Sequence, residues 1–392
     1  MTRIIKIVAV TALATYATAP TAQEFNFSGF GSFVGGFTSE EAPQLTSDYN
    51  GYNSKDISFA PDSIAGLQIT TDVNDKVSAT LQLVTRGNDD WNVQADWAYL
   101  SFEVSESFQV RAGRLRIPYY LYSDFVTVGY AYTWISPPSS VYALPYDNID
   151  GVDVIYNMPL GNADLQIQGY FGATGFEMNS GELNGAEGDS KNQFGVNFEL
   201  SHYNFKYRYA YHQASITIDT SMASGGALDD LSNALEDAGF PDNASSLRFE
   251  EDTARFHEVG IMYDGGRFVG SAEATLLDFN DKSPFAEQHR YYIMGGVRFK
   301  EQFLAHLTWG RSDDVAPNLS SGIPASGPTA PLYQGVSAVE SSLPVDNEEW
   351  TLGLRWDFTE ATALNVELTD VKGKNNSDND LMLTRFGVQT IF

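Results

Sequence analysis

One pattern repeats along this chain: apolar residues at every second position, with polar or charged residues between them. Trp350, Leu352, Leu354, Trp356 and Phe358 alternate with Glu349, Thr351, Gly353, Arg355 and Asp357. Phe205, Tyr207, Tyr209 and Tyr211 alternate with Lys206, Arg208, Ala210 and His212, and Phe194, Val196, Phe198 and Leu200 with Gly195, Asn197 and Glu199. The same alternation runs through Leu165 to Phe171, Tyr291 to Phe299 and Phe303 to Gly310. Successive side chains of a strand point to opposite faces, so a period of two reads as a strand with one apolar and one wet face. A soluble sandwich also alternates. Here, however, large charged residues stand at mid-strand on the polar face, and Tyr, Trp and Phe gather at the ends of the apolar face. That distribution suits a membrane barrel with aromatic girdles at both interfaces. Closure also leaves no unpaired edge in lipid. The pattern predicts an all-β chain closed into a transmembrane barrel.

The connections count the strands. Short turns fall at Val73 to Lys76, Ser105 to Ser107, Pro159 to Asn162, His202 to Asn204, Asp264 to Gly266, Lys300 to Gln302 and Thr359 to Ala361. Their Asn, Asp and Gly supply the conformations tight hairpins need. Mostly longer polar loops lie between them: Thr38 to Lys55, Gly87 to Asp90, Tyr119 to Asn148, Ala173 to Ser190, Asp219 to Asp252, Asn280 to Gln288, Ser312 to Asn347 and Lys374 to Asp380. Seven turns and eight loops give about 16 antiparallel strands, an even number as such barrels require. The turns are expected on the periplasmic side and the loops outside. A barrel of this size is too wide for side chains to fill, so a water-filled channel is expected.

The N-terminus fits export. Arg3 and Lys6 precede the apolar run Ile7 to Ala14, and small residues end at Ala22. This predicts a signal peptide over 1–22, cleaved after Ala22, and a single barrel domain over 23–392. After it, no stretch is long and apolar enough for a transmembrane helix. With no cysteine, disulfides and thiol chemistry are excluded. The net charge of −28 argues against a nucleic-acid partner, whose phosphates it would repel. The five histidines stand apart from any nucleophile motif or metal-ligand spacing, and the Asp pairs lack a calcium-loop order. No enzyme activity, cofactor or metal is therefore expected.

The final strand, Leu381 to Phe392, puts Met382, Thr384, Phe386, Val388, Thr390 and Phe392 on one face. Leu383, Arg385, Gly387, Gln389 and Ile391 are on the other. Closing on an aromatic residue, it resembles the last strand of bacterial outer-membrane barrels. That resemblance implies that the assembly machinery reads Phe392 and that the chain resides in the bacterial outer membrane. The strand with Gly113-Arg114, the aromatic segment Tyr119 to Asn148 and the strand Asp150 to Tyr156 carry the closer likeness. At these points the chain resembles the general diffusion porins of Gram-negative bacteria. The resemblance implies a 16-stranded barrel whose third external loop folds inward as a constriction. It also implies a homotrimer with the early strands and Phe392 near the subunit contact, and Arg114 as a basic wall residue facing loop carboxylates. Phe125, Val126, Val128, Trp134 and Ile135 suit a loop packed on the inner wall.

The first two strands lack the basic residues that family commonly carries there, so other arginines are candidates: Arg86, Arg208, Arg298, Arg355 and Arg385 share the wet face. Arg111 and Arg114 have opposite parity, which sets one at a bulge or toward a subunit interface. The expected constriction comprises Arg86, Arg114 and Arg116 opposite Asp124, with Asp147, Asp150 and Asp153 nearby. The expected function is passive diffusion of small hydrophilic solutes and ions. Acidic loops, including Glu40, Glu41, Asp89, Asp90, Asp313, Asp314, Asp378 and Asp380, favour cations. They also offer contacts to outer-membrane lipid and lipopolysaccharide. The alternative is a substrate-specific channel for a sugar or organic acid, with Tyr119, Tyr120, Tyr122, Tyr130, Tyr132 and Trp134 as a track. In Ala227 to Ala238, Leu228, Leu231 and Leu235 form a one-sided helical stripe, which predicts a short helix over the mouth.

Overall fold

A computed structural model describes residues 24–39, 50–178, 183, 185–220, 226–280, 283–342, 344–374 and 380–392. The expected signal peptide 1–22 and the loop acids Glu40, Glu41 and Asp378 lie outside the described residues. Sixteen strands form one closed antiparallel barrel. They are β1 (Phe25–Thr38), β2 (Ile64–Asn74), β3 (Val77–Arg86), β4 (Val93–Ser105), β5 (Phe108–Arg116), β6 (Asn148–Leu160), β7 (Ala163–Glu177) and β8 (Glu187–His202). The second half comprises β9 (Phe205–Ile218), β10 (Asp252–Asp264), β11 (Phe268–Phe279), β12 (Glu287–Phe299), β13 (Phe303–Val315), β14 (Asp346–Thr359), β15 (Thr362–Gly373) and β16 (Leu381–Ile391).

Each strand pairs with its sequence neighbours, and β1 pairs with β16 to close the ring. The closure continues past β16, where Phe392 and Gly29 exchange both backbone hydrogen bonds, at 2.8 and 2.9 Å. The Phe392 ring covers Gly29 so closely that a Cβ there would come within 2.4 Å of it. Glycine is therefore what lets the terminal ring lie flat over the seam.

All seven predicted turns join hairpins, because tight-turn chemistry is local. Loop bounds differ in three main places. β13 runs on to Val315, past the predicted loop start at Ser312. β2 begins at Ile64 rather than Ile57. Pro61 cannot donate to a ladder, and the residues before it pair with the sheet at isolated points, the Gly36–Ser58 bridge and the Thr38 N to Asn53 O bond, while Phe59 stacks on Phe33. β7 and β8 run on to Glu177 and from Glu187, past the predicted limits, with a register shift between Lys191 and Phe194 on the way.

The two faces separate as the alternation demands. Val152, Phe171, Val259, Ile293, Leu307, Leu352 and Val366 stand on the outside, with 47–58% of their surface exposed. Their neighbours in sequence, such as Asp153, Glu258, Tyr292, His306 and Glu367, are buried on the inside. Such a broad apolar exterior on a closed barrel suits acyl chains, not water.

Outside the barrel, helix α1 (Ala227–Asp237) matches the predicted helix to within a residue. It packs with α2 (Pro241–Ser245) and α3 (Ala330–Ser342) around Leu235, Leu247, Leu319 and Val336. The latter two helices escaped the sequence reading: α2 is a single turn, and α3 has no strong apolar stripe.

Candidate functional site

Residues 117–147, between β5 and β6, are tied to the inward faces of distant strands. Arg208 of β9 donates to Tyr119 O at 3.2 Å and to Pro118 O, and pairs with Glu258 at 2.7 Å. Glu273 of β11 accepts from Leu121 N at 2.9 Å and from the Tyr142 hydroxyl at 2.7 Å. Arg355 of β14 donates to Tyr132 O at 2.5 Å and Tyr130 O at 3.0 Å, with its guanidinium 4.8 Å over the Tyr130 ring. Trp134 Nε1 donates to Thr308 Oγ1 of β13 at 2.8 Å. Glu367 of β15 accepts from Ile135 N at 2.8 Å, and Gln389 of β16 donates to Ile135 O at 2.8 Å. Glu349 of β14 accepts from Ser140 N at 3.1 Å.

These side chains do what secondary structure does elsewhere: they satisfy the backbone groups of an irregular buried segment. The charges are therefore structural partners of the segment as much as lumen charges. The segment's aromatic residues pack among themselves and against the wall. Tyr119 lies 4.9 Å from the His212 ring, Tyr120 4.3 Å from Tyr142, and Trp134 5.6 Å from Tyr292. Burial, the largest cause, holds the hydroxyls of Tyr119, Tyr120, Tyr122 and Tyr142 above the ordinary phenol range, so they stay neutral donors and acceptors.

The expected constriction residues fall into three groups. Arg86, Arg116 and Asp147 come together through Asp96. Arg86 holds Asp96 with two bonds at 3.1 and 2.6 Å, Arg116 reaches it at 2.6 Å, and Arg116 also reaches Asp147 at 2.6 Å. Asp96 was missed in the sequence. It sits where β3 and β4 slip register, so parity arguments fail at that position. An acid set between Ala95 and Trp97, in a stretch of β4 with no other charge before Glu103, is the signal that could have found it.

Asp153 points inward and pairs with Arg111, with Gln168 adding a bond at 2.8 Å. Arg111 lies 5.2 Å over Tyr99 and interacts electrostatically with Asp124, which is exposed on the loop segment.

Arg114 and Asp150 are corrected. They bond to each other at 2.8 and 2.9 Å on the outer face, in line with Leu100 and Val152, rather than facing the loop. Of the two arginines of opposite parity, Arg111 is the inward one. Among the other candidates, Arg208, Arg355 and Arg385 hold the loop or its partners, and Arg298 pairs with Asp264 beside a short turn. Among the described residues no group of acidic and histidine side chains converges as a metal site.

No family model and no curated protein sequence matches the chain. Solved structures do match it in fold. The outer membrane channel DcaP of Acinetobacter baumannii superposes with TM-score 0.58 at 10% identity, covering 96% of this chain and 99% of that one. An OmpF of Salmonella typhi, in complex with daunomycin, matches with TM-score 0.57 at 11% identity, covering 94% and 98%. An anion-selective porin from Comamonas acidovorans matches with TM-score 0.57 at 13% identity, covering 94% and 100%. At such identities the likeness is one of fold.

Proposed function

We propose that this chain, which carries the fold of the 16-stranded outer-membrane porins, forms a water-filled channel in the bacterial outer membrane. Small hydrophilic solutes and ions cross it passively. The carrying observation is the division of the closed sheet into an apolar outside and an inside holding almost all the buried charge. Segment 117–147 folds into the barrel and narrows it. Its anchors occupy β8 to β16, so the passage runs past β2 to β7. There Arg111, clamped by Asp153, faces Asp124 across the narrowest point. Arg86, Asp96, Arg116 and Asp147 line the approach as a neutral chain, which leaves Asp124 as the uncompensated charge and supports cation preference.

The packing of Tyr119, Tyr120, Tyr122, Tyr132 and Trp134, each at most 8% exposed, argues against those rings as a sugar track.

The outer rim supports two partner readings. Ion pairs stand above the apolar belt on β5 to β15, including Arg114–Asp150, Arg255–Asp278 and Arg311–Asp346, at the level of lipopolysaccharide headgroups. The corresponding outward positions of β16 and β1 to β4 are uncharged, among them Met382, Phe37, Thr85 and Val93. That arc suits a subunit contact in a homotrimer, with Phe392 beside it for the assembly machinery. Single-channel conductance in planar bilayers with a salt gradient tests the proposal. Cation-favouring reversal potentials are expected, and folded protein that leaves bilayers sealed would refute it.

A further inference from the structure

The charges of the inner wall are unevenly used, and the part to which segment 117–147 makes no hydrogen bond has a chemistry of its own. Among the described residues, segment 117–147 makes no hydrogen bond to β2, β3 or β4. Between Asp72 and Arg86, at opposite ends of the strands, the inward positions of β2 and β3 are Gly66, Gln68, Thr70, Ser78, Thr80, Gln82 and Val84, all uncharged. The strand register continues this surface onto two aromatic residues of β4. Gln68, Gln82 and Trp97 form one row across three strands, and Thr70, Thr80 and Tyr99 form the next. Neighbouring strands lie about 4.8 Å apart and every second residue about 6.7 Å on, so the two rows make a patch roughly 10 by 7 Å. That is about the footprint of one monosaccharide ring with its hydroxyls.

The groups are those that bind a neutral hydroxylated ring. The Trp97 and Tyr99 rings stand 6.2 Å apart and tilted by 56°. Arg116 lies 6.0 Å from the first ring and Arg111 5.2 Å from the second, which fixes both planes from one side. Gly113, opposite Tyr99 in register, has φ +138° and leaves no side chain beside it, since a Cβ would meet Ala98 O at 2.2 Å.

Hydrogen-bonding capacity is left over. Gln82 donates to Gln68 Oε1 at 3.0 Å, yet its own Oε1 has no partner although only 3% of the residue is exposed. Trp97 Nε1 and the Ser101 hydroxyl are likewise without partners, and Ser101 is 4% exposed. Buried polar atoms are nearly always paired, so two orphans in the patch and a third, at Ser101, in the next row leave hydrogen-bonding capacity that a ligand completes once the Gln82 amide and the Trp97 ring turn toward the lumen. Aromatic faces take the ring's C–H groups while amide and hydroxyl groups take its hydroxyls, the usual mix of apolar walls and a few polar groups in a small-molecule site.

We propose that the inner wall of β2 to β4, built on Trp97, Tyr99, Gln68, Gln82 and Ser101, is a subsite for a small neutral hydroxylated solute of the monosaccharide class. This rests on the channel reading, and it places solute recognition on the wall opposite the loop. A charged solute would leave its charge uncompensated here. The apolar rings with few polar groups give a weak, quickly released hold, as a conducting path requires.

The test uses the folded full-length barrel with D-glucose, and tri(ethylene glycol) as a hydroxyl-poor solute of similar size. Glucose should reduce single-channel current saturably, with a half-effect on the order of 10 mM, while the glycol acts only in proportion to viscosity. In detergent, glucose should shift tryptophan fluorescence over the same range, and the shift should vanish in Trp97→Phe. Trp97→Ala and Gln82→Ala, each checked for a folded barrel, should weaken the half-effect at least tenfold and several-fold respectively. A strictly linear effect in the natural chain, or saturation unchanged in both folded variants, overturns the subsite. If bilayers show no channel, the channel reading fails, and the fluorescence titration still decides the subsite.

Discussion

Leu354→Arg tests the assignment of faces on which the reading depends. Leu354 stands on the outward face of β14, 44% exposed, in register with Ala305 and Val366 on either side. Phe358 and Trp350 mark the aromatic limits of that face. At roughly 3.3 Å per residue and a tilt near 40°, the span between them is about 20 Å tall, and Leu354 lies at its middle. An arginine at the midplane of a barrel's lipid face costs roughly 2–4 kcal/mol, a change of roughly 30- to 1,000-fold in the folding equilibrium. The control is Gln109→Arg on the inward face of β5, where Glu103 stands directly across the strand pair. With water and a carboxylate in reach, its cost should stay within about 0.5 kcal/mol. Reversible urea unfolding in phospholipid vesicles, followed by tryptophan fluorescence, measures both. Equal cost at the two sites would refute the division of the barrel into lipid and water faces. Thr351→Arg would be a poorer control: Thr351 points inward but bonds Thr369 at 2.9 Å in a buried position.

Asp124→Asn should lower cation preference, read as a reversal potential moved toward zero, without loss of folded barrel. Arg355→Ala removes both carbonyl bonds that hold residues 130–132; hydrogen bonds from charged groups contribute about 1.5–3 kcal/mol each. The variant should show noisier open-channel current and faster proteolysis within 117–147. The loop's tyrosines give a pH prediction. Their folded pKa values are raised by burial, so above the ordinary phenol value of about 10 the unfolded chain loses protons that the folded chain keeps. Stability of the packed loop should be flat from pH 6 to 9 and fall as pH rises beyond 10, measured as rising current noise or amide exchange in 117–147. A decline already complete by about pH 8 would contradict that sign and window.

The strands, their number, the short turns and the two faces were legible in the sequence because each depends on neighbours one or two residues away. An alternation such as Trp350 to Phe358 states its own faces, and a turn such as Asp264 to Gly266 states its own geometry. The barrel's closure followed from the even count and the absence of any strand fit to be an edge in lipid. What holds segment 117–147 was not legible. Glu367 meets Ile135 across 232 positions and Arg355 meets Tyr132 across 223, and no local pattern links residues so far apart. Parity also fails wherever the ladder slips. Asp96 sits at such a slip, so its junction with Arg86 and Arg116 emerged only in three dimensions. Arg111 and Arg114 have opposite parity in the sequence, which does not say which of the two faces inward. Strand pairing turns the first toward Asp153 inside and the second toward Asp150 outside, because in a sheet a single residue of offset reverses the face.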